Sequence, residues 1–237
     1  MRMRKKKHLE ERLAACGDML LSPIHDDLRF DAAPDGSNLF DLPALFGRNA
    51  PVELEVGCGC GQFICELAAR RPDTDFIAVE KVANVIVPAC EKAQAAGLRN
   101  VRFLHCSAEY LGRYLPAHSM SRLYLNFSCP YPKASYKTHR LTHARFLALY
   151  EQLLAPEASL WQKTDNRQLF AFSIEQLSAR GWLLHDLSLD LHADDCPGTA
   201  DIRLRLRNYN VRYPLLGRIP GGRYLCDTAD EYSDAAS

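Results

Sequence analysis

A short apolar segment followed by alternating glycines constrains this chain more than any other feature. The segment Val52–Val56 has the composition of a buried strand, and Gly57, Gly59 and Gly61 follow it before a helical pattern begins at Gln62. Glycines at these positions let the backbone turn sharply after a strand and approach a ligand closely. The pattern predicts a strand–loop–helix unit that binds a nucleoside cofactor at the carboxyl end of the strand.

Two acidic residues indicate which cofactor this loop binds. Glu80 closes the next predicted strand, about 20 residues beyond the loop, where an acid binds the ribose hydroxyls of a nucleoside. Glu55 stands just before the turn. A pyrophosphate would be repelled by this carboxylate, whereas the cationic sulfonium and the ammonium of S-adenosylmethionine would be attracted. The two glutamates therefore predict an S-adenosylmethionine-dependent methyltransferase.

Strand and helix signals alternate through the middle of the chain. Strands are predicted at Val52–Val56, Asp75–Glu80, Val101–Cys106, Arg122–Asn126 and Ser159–Thr164, with a less regular one at Trp182–Leu191. Helices are predicted at Gln62–Arg70, Ala83–Ala96, Thr142–Leu154 and Gln168–Arg180. Such alternation is typical of an α/β protein with a mostly parallel sheet and helices on both faces. We therefore expect a Rossmann-like class I methyltransferase fold.

The alternating part of the chain sets the predicted domain boundaries. Residues 1–50 are expected to form a basic N-terminal arm, with a short helix from His8 to Cys16 followed by a loop through Pro51. Residues 51–226 are expected to form the methyltransferase domain, and residues 227–237 a C-terminal tail. No internal repeat interrupts this division.

The distribution of charge is more informative than its sum. The formal net charge is zero, so the total does not indicate a nucleic-acid partner. Basic residues nevertheless concentrate in two segments: Arg2, Arg4, Lys5, Lys6 and Lys7 at the start, and Arg203, Arg205, Arg207, Arg212, Arg218 and Arg223 near the end. Clusters of this kind suit contact with phosphates. Each segment taken alone is equally compatible with a solvated basic tail.

The cysteines and the hydropathy indicate where the protein works. Nine cysteines are an odd number, they are spread through predicted strands, helices and loops, and none forms a Cys-x-x-Cys pair. Because Cys58 and Cys60 lie within the cofactor turn, we expect no metal site there. We interpret the cysteines as reduced thiols of a cytoplasmic protein. No apolar stretch approaches the about 18 residues that a membrane span requires.

Polar residues at the ends of the predicted parallel strands outline one site, because ligands of such sheets bind beyond the carboxyl ends of the strands. Besides the two glutamates, these residues are Ser107, Asn126 and Asp165, together with the segment from Cys129 to Lys133. Pro130 and Pro132 flank Tyr131 in that segment and stiffen it. The segment either holds the tyrosine against a base or serves as a rigid connector.

Several motifs together resemble the bacterial tRNA (guanine-N7)-methyltransferase family. The motifs are Met1–Lys6, Glu53–Phe63, Leu125–Lys133, Arg140–Thr142, Lys163–Asn166 and Leu191–Asp195. The resemblance extends over nearly the whole chain, from residue 1 to about residue 224. It implies methyl transfer from S-adenosylmethionine to N7 of a guanine in the variable loop of tRNA.

The resemblance also implies roles for individual residues. Glu55, Glu80, Ser107 and Asn126 would bind the cofactor with the glycines, and Cys129 stands where the family has the Asp considered catalytic. The residues that would contact the substrate are Lys133, Asp165, Tyr209 and Asn210. The chain departs from the family pattern at Ser107, Cys129, Asn208 and Asn210, where carboxylates are replaced.

These replacements leave other functions open. A paralogue that binds S-adenosylmethionine and RNA but has weakened or lost catalysis would explain the missing carboxylates, as would a methyltransferase with a different substrate. The pair Cys129-Pro130 also has the form of a nucleophile that attacks a pyrimidine ring. The sequence is compatible with a monomer or a homodimer.

Overall fold

The computed structural model describes residues 7–21, residues 38–188 and the backbone of residues 209–214. These residues form one sheet, whose strands are β1 (Leu20–Leu21), β2 (Val52–Val56), β3 (Asp75–Val79), β4 (Val101–Leu104), β5 (Met120–Asn126), β6 (Leu154–Thr164), β7 (His185–Ser188) and β8 (Tyr209–Pro214). Their spatial order is β1-β4-β3-β2-β5-β6-β8-β7.

The sheet is mostly parallel, as expected. Strands β1 to β6 pair in parallel, and β8 pairs antiparallel with β6 and with β7. The chain builds outward from β2 through β3 to β4, then returns to the other side of β2 for β5 and β6. This reversal of direction opens a crevice beyond the carboxyl ends of β2 and β5, which is where α/β sheets bind ligands. The predicted class I fold is confirmed.

Helices cover both faces of the sheet, in agreement with the prediction. They are α1 (Leu9–Ala15), α2 (Leu42–Phe46), α3 (Gln62–Arg70), α4 (Ala83–Ala95), α5 (Leu111–Tyr114), α6 (Ala144–Leu153) and α7 (Arg167–Ala179). One core lies beneath α1, α3 and α4, and the other beneath α2, α5, α6 and α7. None of the helices in the described ranges is long and apolar enough to cross a membrane.

The prediction of a continuous loop from Cys16 to Pro51 was wrong at α2 and at the short strand β1. Helix α2 begins because the side chain of Asp41 accepts a hydrogen bond from the backbone N–H of Ala44, and because a proline suits the first turn of a helix. It ends at Gly47, whose φ of 70° satisfies the left-handed position after a helix. These capping signals are present in the sequence.

The described part of the N-terminal arm packs against the sheet domain. The guanidinium of Arg12 donates to both carboxylate oxygens of Glu91 on α4 at 2.7 Å. The side-chain amide of Gln94 donates to the backbone oxygens of Ala15 and Cys16. Strand β1 then extends the edge of the sheet beside β4. The domain boundary at residue 50 stays a prediction. The basic residues at positions 1–6 lie outside the described residues.

At the other end, the irregular strand predicted over Trp182–Leu191 begins later than expected, at His185. Trp182 is instead buried in the core beneath α7. The C-terminal basic stretch lies outside the described residues except for the backbone of Arg212 in β8, and so does the predicted tail at 227–237.

Candidate active site

The glycine loop after β2 has the shape that the sequence predicts. The backbone N–H groups of Gly57 and Cys58 donate to the carbonyl oxygen of Val79 at 2.8 and 3.0 Å, which ties the loop to the end of β3. Gly57, Gly59 and Gly61 have φ angles of 83°, 58° and 68°, values that L side chains rarely adopt. The loop is therefore built for glycine at all three positions.

The glycines serve two different purposes. A Cβ on Gly61 would lie 2.7 Å from the Cβ of Ala89, so this glycine permits α3 to pack closely against α4. A Cβ on Gly59 would have no heavy atom within 4 Å, and one on Gly57 would meet only a methyl of Leu141 at 4.0 Å. These two glycines therefore leave open space over the loop, into which a ligand fits.

Glu55 is a buried carboxylate with an unused acceptor. Only 2% of its surface is exposed. Its Oε1 accepts a hydrogen bond from Nδ2 of Asn126 at 2.9 Å, while its Oε2 is buried and has no partner within the described part of the chain. Burial raises the pKa of Glu55 from its ordinary value to about 7, the Asn126 bond opposes this shift, and the charge of Glu80 adds to it. A cationic group placed at Oε2 would satisfy this acceptor and hold the carboxylate ionised.

Glu80 lies immediately after β3, as predicted. Its Oε1 accepts from the backbone N–H of Val82 at 3.0 Å, which orients the half-buried carboxylate at the start of α4. The repulsion between Glu80 and Glu55 shows that the two acids share one electrostatic environment. Together with the open glycine loop, this acidic environment fits a cofactor that carries a cation and a ribose.

Ser107 follows β4 at the same edge of the sheet. Its hydroxyl donates to Oε2 of Glu109 at 3.3 Å, and the residue is half-buried. Its contact with an adenine ring stays a prediction.

The loop after β5 is held in a strained conformation. Phe127 and Tyr131 have positive φ angles of 51° and 42°, which are uncommon for residues with side chains. The guanidinium of Arg140 donates to the backbone oxygens of Pro130 and Tyr131, both at 3.0 Å, and stacks on the ring of Phe172 at 4.5 Å. Strained backbone held by such contacts is common at functional sites.

The predicted catalytic and substrate-binding residues stand at this edge of the sheet. Cys129, Lys133 and Asp165 are all exposed. Tyr209 and Asn210 pair in register with Thr164 and Lys163, so the backbone of β8 begins at the same edge; their side chains lie outside the described residues. The site thus has the buried Glu55 and the half-buried Glu80 next to the glycine loop, and exposed residues beyond them.

Two residues of the site were missed by the sequence reasoning as functional positions. Arg140 belongs to one of the motifs named above. Its hydrogen bonds to the loop after β5 could not be predicted, because they join residues about ten positions apart that show no local sequence pattern. Lys163 is buried at the end of β6. A long basic side chain inside a largely apolar strand was the available signal. Within the described ranges, no group of three or more His, Cys, Asp or Glu residues could hold a metal ion.

Comparison with known proteins identifies the family. Residues 49–192 match the sequence family described as "Putative methyltransferase". The tRNA (guanine-N(7)-)-methyltransferase of Bacillus velezensis is 36% identical over 219 residues, which cover 92% of this chain and 93% of that protein. The chain belongs to the bacterial tRNA (guanine-N7)-methyltransferase family. The enzyme of the same name from Geobacillus kaustophilus is 42% identical over 148 residues, covering 62% of this chain and 68% of that one.

Solved structures with lower sequence identity share the fold. A 30S ribosomal A1408 methyltransferase from an uncultured bacterium superimposes with a TM-score of 0.54 at 16% identity, covering 74% of this chain and 92% of that chain. A SAM-dependent methyltransferase from Aquifex aeolicus gives a TM-score of 0.51 at 17% identity, covering 78% and 94%. At these identities the likeness concerns the fold alone, and it agrees with the strand order described above.

Proposed function

We propose that this protein transfers a methyl group from S-adenosylmethionine to N7 of a guanine in the variable loop of tRNA. The observation that carries the proposal is the similarity to tRNA (guanine-N(7)-)-methyltransferases over 92% of the chain. The buried acceptor of Glu55 beside an open glycine loop supports it independently, because that arrangement suits a cationic methyl donor.

S-adenosylmethionine is the cofactor, and it supplies an electrophilic methyl group. Gly57 and Gly59 leave room for its chain over the loop, Glu80 stands where the ribose hydroxyls would bind, and Glu55 offers its free oxygen to the ammonium. Asn126 orients Glu55 through the hydrogen bond between their side chains. Ser107 extends the site beyond β4 toward the adenine.

The guanine needs positioning more than it needs acid–base chemistry. Its N7 has a lone pair and no proton, so attack on the methyl group requires no obligatory base. Correct in-line placement of two reactants contributes up to about 7–11 kcal/mol. Asp165 and Lys133 are exposed, which would allow them to hold the nucleotide, and Tyr209 and Asn210 approach the same edge from β8. Cys129 stands beside them where a carboxylate would offset the developing positive charge.

The surface beyond the loop after β5 suits RNA. Residues 132–139 are exposed and contain both lysines and aromatic rings. The ring of His139 lies 5.6 Å from that of Tyr131 and 5.9 Å from that of Tyr136, which is 47% exposed. Aromatic rings next to Lys133 and Lys137 could stack on bases while the ammonium groups contact phosphates.

Methylation of a tRNA transcript tests the proposal directly. The purified protein, S-adenosylmethionine and transcript are incubated, and the nucleosides are analysed by mass spectrometry. We expect 7-methylguanosine from an ordinary transcript and none from a transcript made with 7-deazaguanosine, which has no nitrogen at that position. Methyl transfer to the deaza transcript would indicate a different target atom. Binding of both partners without any product would indicate a paralogue that has lost catalysis.

A further inference from the structure

A row of three polar side chains crosses the carboxyl ends of adjacent strands. Glu55 is on β2, Asn126 is on β5, and Lys163 pairs in register with Asn126 on β6. Tyr124 and Trp161, two residues earlier on β5 and β6, contact each other with ring centroids 6.0 Å apart. Because side chains alternate along a strand, Asn126 and Lys163 project from this same face. Across the three strands, the row therefore consists of a carboxylate, a carboxamide and an ammonium group.

Lys163 has a largely buried side chain with no counter-ion among the residues that the structure describes. Its surface is 8% exposed, and no hydrogen bond or ion pair joins its ammonium to another of the residues that the structure describes. Burial lowers the pKa of Lys163. Its Nζ is not one of the buried unpartnered atoms of the described residues, so the ammonium keeps some contact with water. A ligand can therefore reach it. An anion that arrives with a ligand would supply the missing partner.

The two ends of the row carry charges opposite to those of the ammonium and the carboxylate of an α-amino acid. Among the described residues, Glu55 has a buried oxygen without a partner at one end, and Lys163 has an ammonium without a partner at the other. Strands β2 and β6 are separated by two strand spacings, so their backbones lie about 10 Å apart, and Glu55 and Lys163 project from the same face of the sheet. The methionine moiety of S-adenosylmethionine carries an ammonium and a carboxylate on one carbon.

We propose that Lys163 binds the carboxylate of the methionine moiety while Glu55 binds its ammonium. The proposal rests on the proposed function, since it concerns the cofactor of that reaction. It adds a cofactor-binding residue from the motif Lys163–Asn166, whose exposed Asp165 is the predicted substrate residue. Asn126, on the strand between the two, donates to Glu55 and orients its carboxylate.

Calorimetry with two ligands tests the assignment. The wild-type protein and Lys163→Met are titrated with S-adenosylmethionine and with decarboxylated S-adenosylmethionine, which keeps the sulfonium and the amine. Hydrogen bonds to charged groups predict a loss of about 10- to 100-fold when either the lysine or the carboxylate is removed. Lys163→Met is expected to bind the two ligands with nearly equal affinity. Arg99→Met removes one exposed positive charge at the opposite edge of the sheet and should behave as the wild type.

The outcomes separate this inference from the proposed function. If the wild-type protein binds no S-adenosylmethionine, the proposed function fails and the inference fails with it. If the wild type binds it, but Lys163→Met discriminates between the two ligands as strongly as the wild type, only the inference fails. That result would leave the lysine to contact an RNA phosphate or to pack within the fold. Should Lys163→Met not fold, equal binding of both ligands by the wild type would still overturn the assignment.

Discussion

The burial of Glu55 makes a quantitative prediction about stability. Folding raises the pKa of this carboxyl from 4.5 to about 7 because burial disfavours its charged form. The folded chain therefore holds more protons than the unfolded chain between these two values. The stability that the protonated carboxyl contributes is present at low pH and is lost as the pH rises to about 7. Linkage places the loss at about 2.5 kcal/mol between pH 5 and pH 8.

The substitution Glu55→Gln removes this titration and retains an oxygen that can accept from Asn126. In chemical denaturation without cofactor, the stability of Glu55→Gln relative to the wild type should improve by about 2–3 kcal/mol between pH 5 and pH 8. Any effect of the Gln side chain on the free energy of unfolding that does not depend on pH is the same at both pH values and cancels in this comparison. Glu157→Gln, which alters an exposed carboxylate on β6, is the matched control and should show no such trend. A difference between Glu55→Gln and the wild type that is independent of pH would refute the reasoning.

Three further predictions concern the same site. Binding of S-adenosylmethionine should release about 0.4 of a proton at pH 7 and weaken about fivefold from pH 7 to pH 6, because Glu55 must be ionised while the α-amino group, whose ordinary pKa is about 8, must be protonated. Calorimetry in buffers of different ionisation enthalpy measures this, and a heat that is the same in every buffer would contradict it. Arg140→Lys should lower the rate of tRNA methylation about tenfold by loosening the loop at Tyr131, while the affinity for S-adenosylmethionine stays unchanged. An equal loss of methylation rate and of cofactor affinity would mean that Arg140 supports the whole fold. Cys129→Asp should raise the single-turnover rate about tenfold by restoring a carboxylate near the cationic product, and a loss of activity would show that the charge argument is wrong.

The local elements and the class of fold were predictable from the sequence. Helix α3 begins and ends at the residues predicted, and strands β2 to β6 contain most of their predicted positions. The loop at Gly57, Gly59 and Gly61 was equally clear. These features depend on neighbours along the chain: the spacing of apolar residues, the glycines that permit a turn, and the residues that cap a helix.

The connections within the site were not predictable in this way. Asn126 donates to Glu55 across 71 residues of sequence, because β5 happens to lie next to β2 in the sheet. The order of the strands likewise aligns Lys163 with this pair, and the packing of α3 and α4 over them withdraws the carboxylate from water. Burial and pairing depend on which distant segments become neighbours, so the raised pKa of Glu55 and the position of Lys163 beside Asn126 emerge only once the sheet has formed.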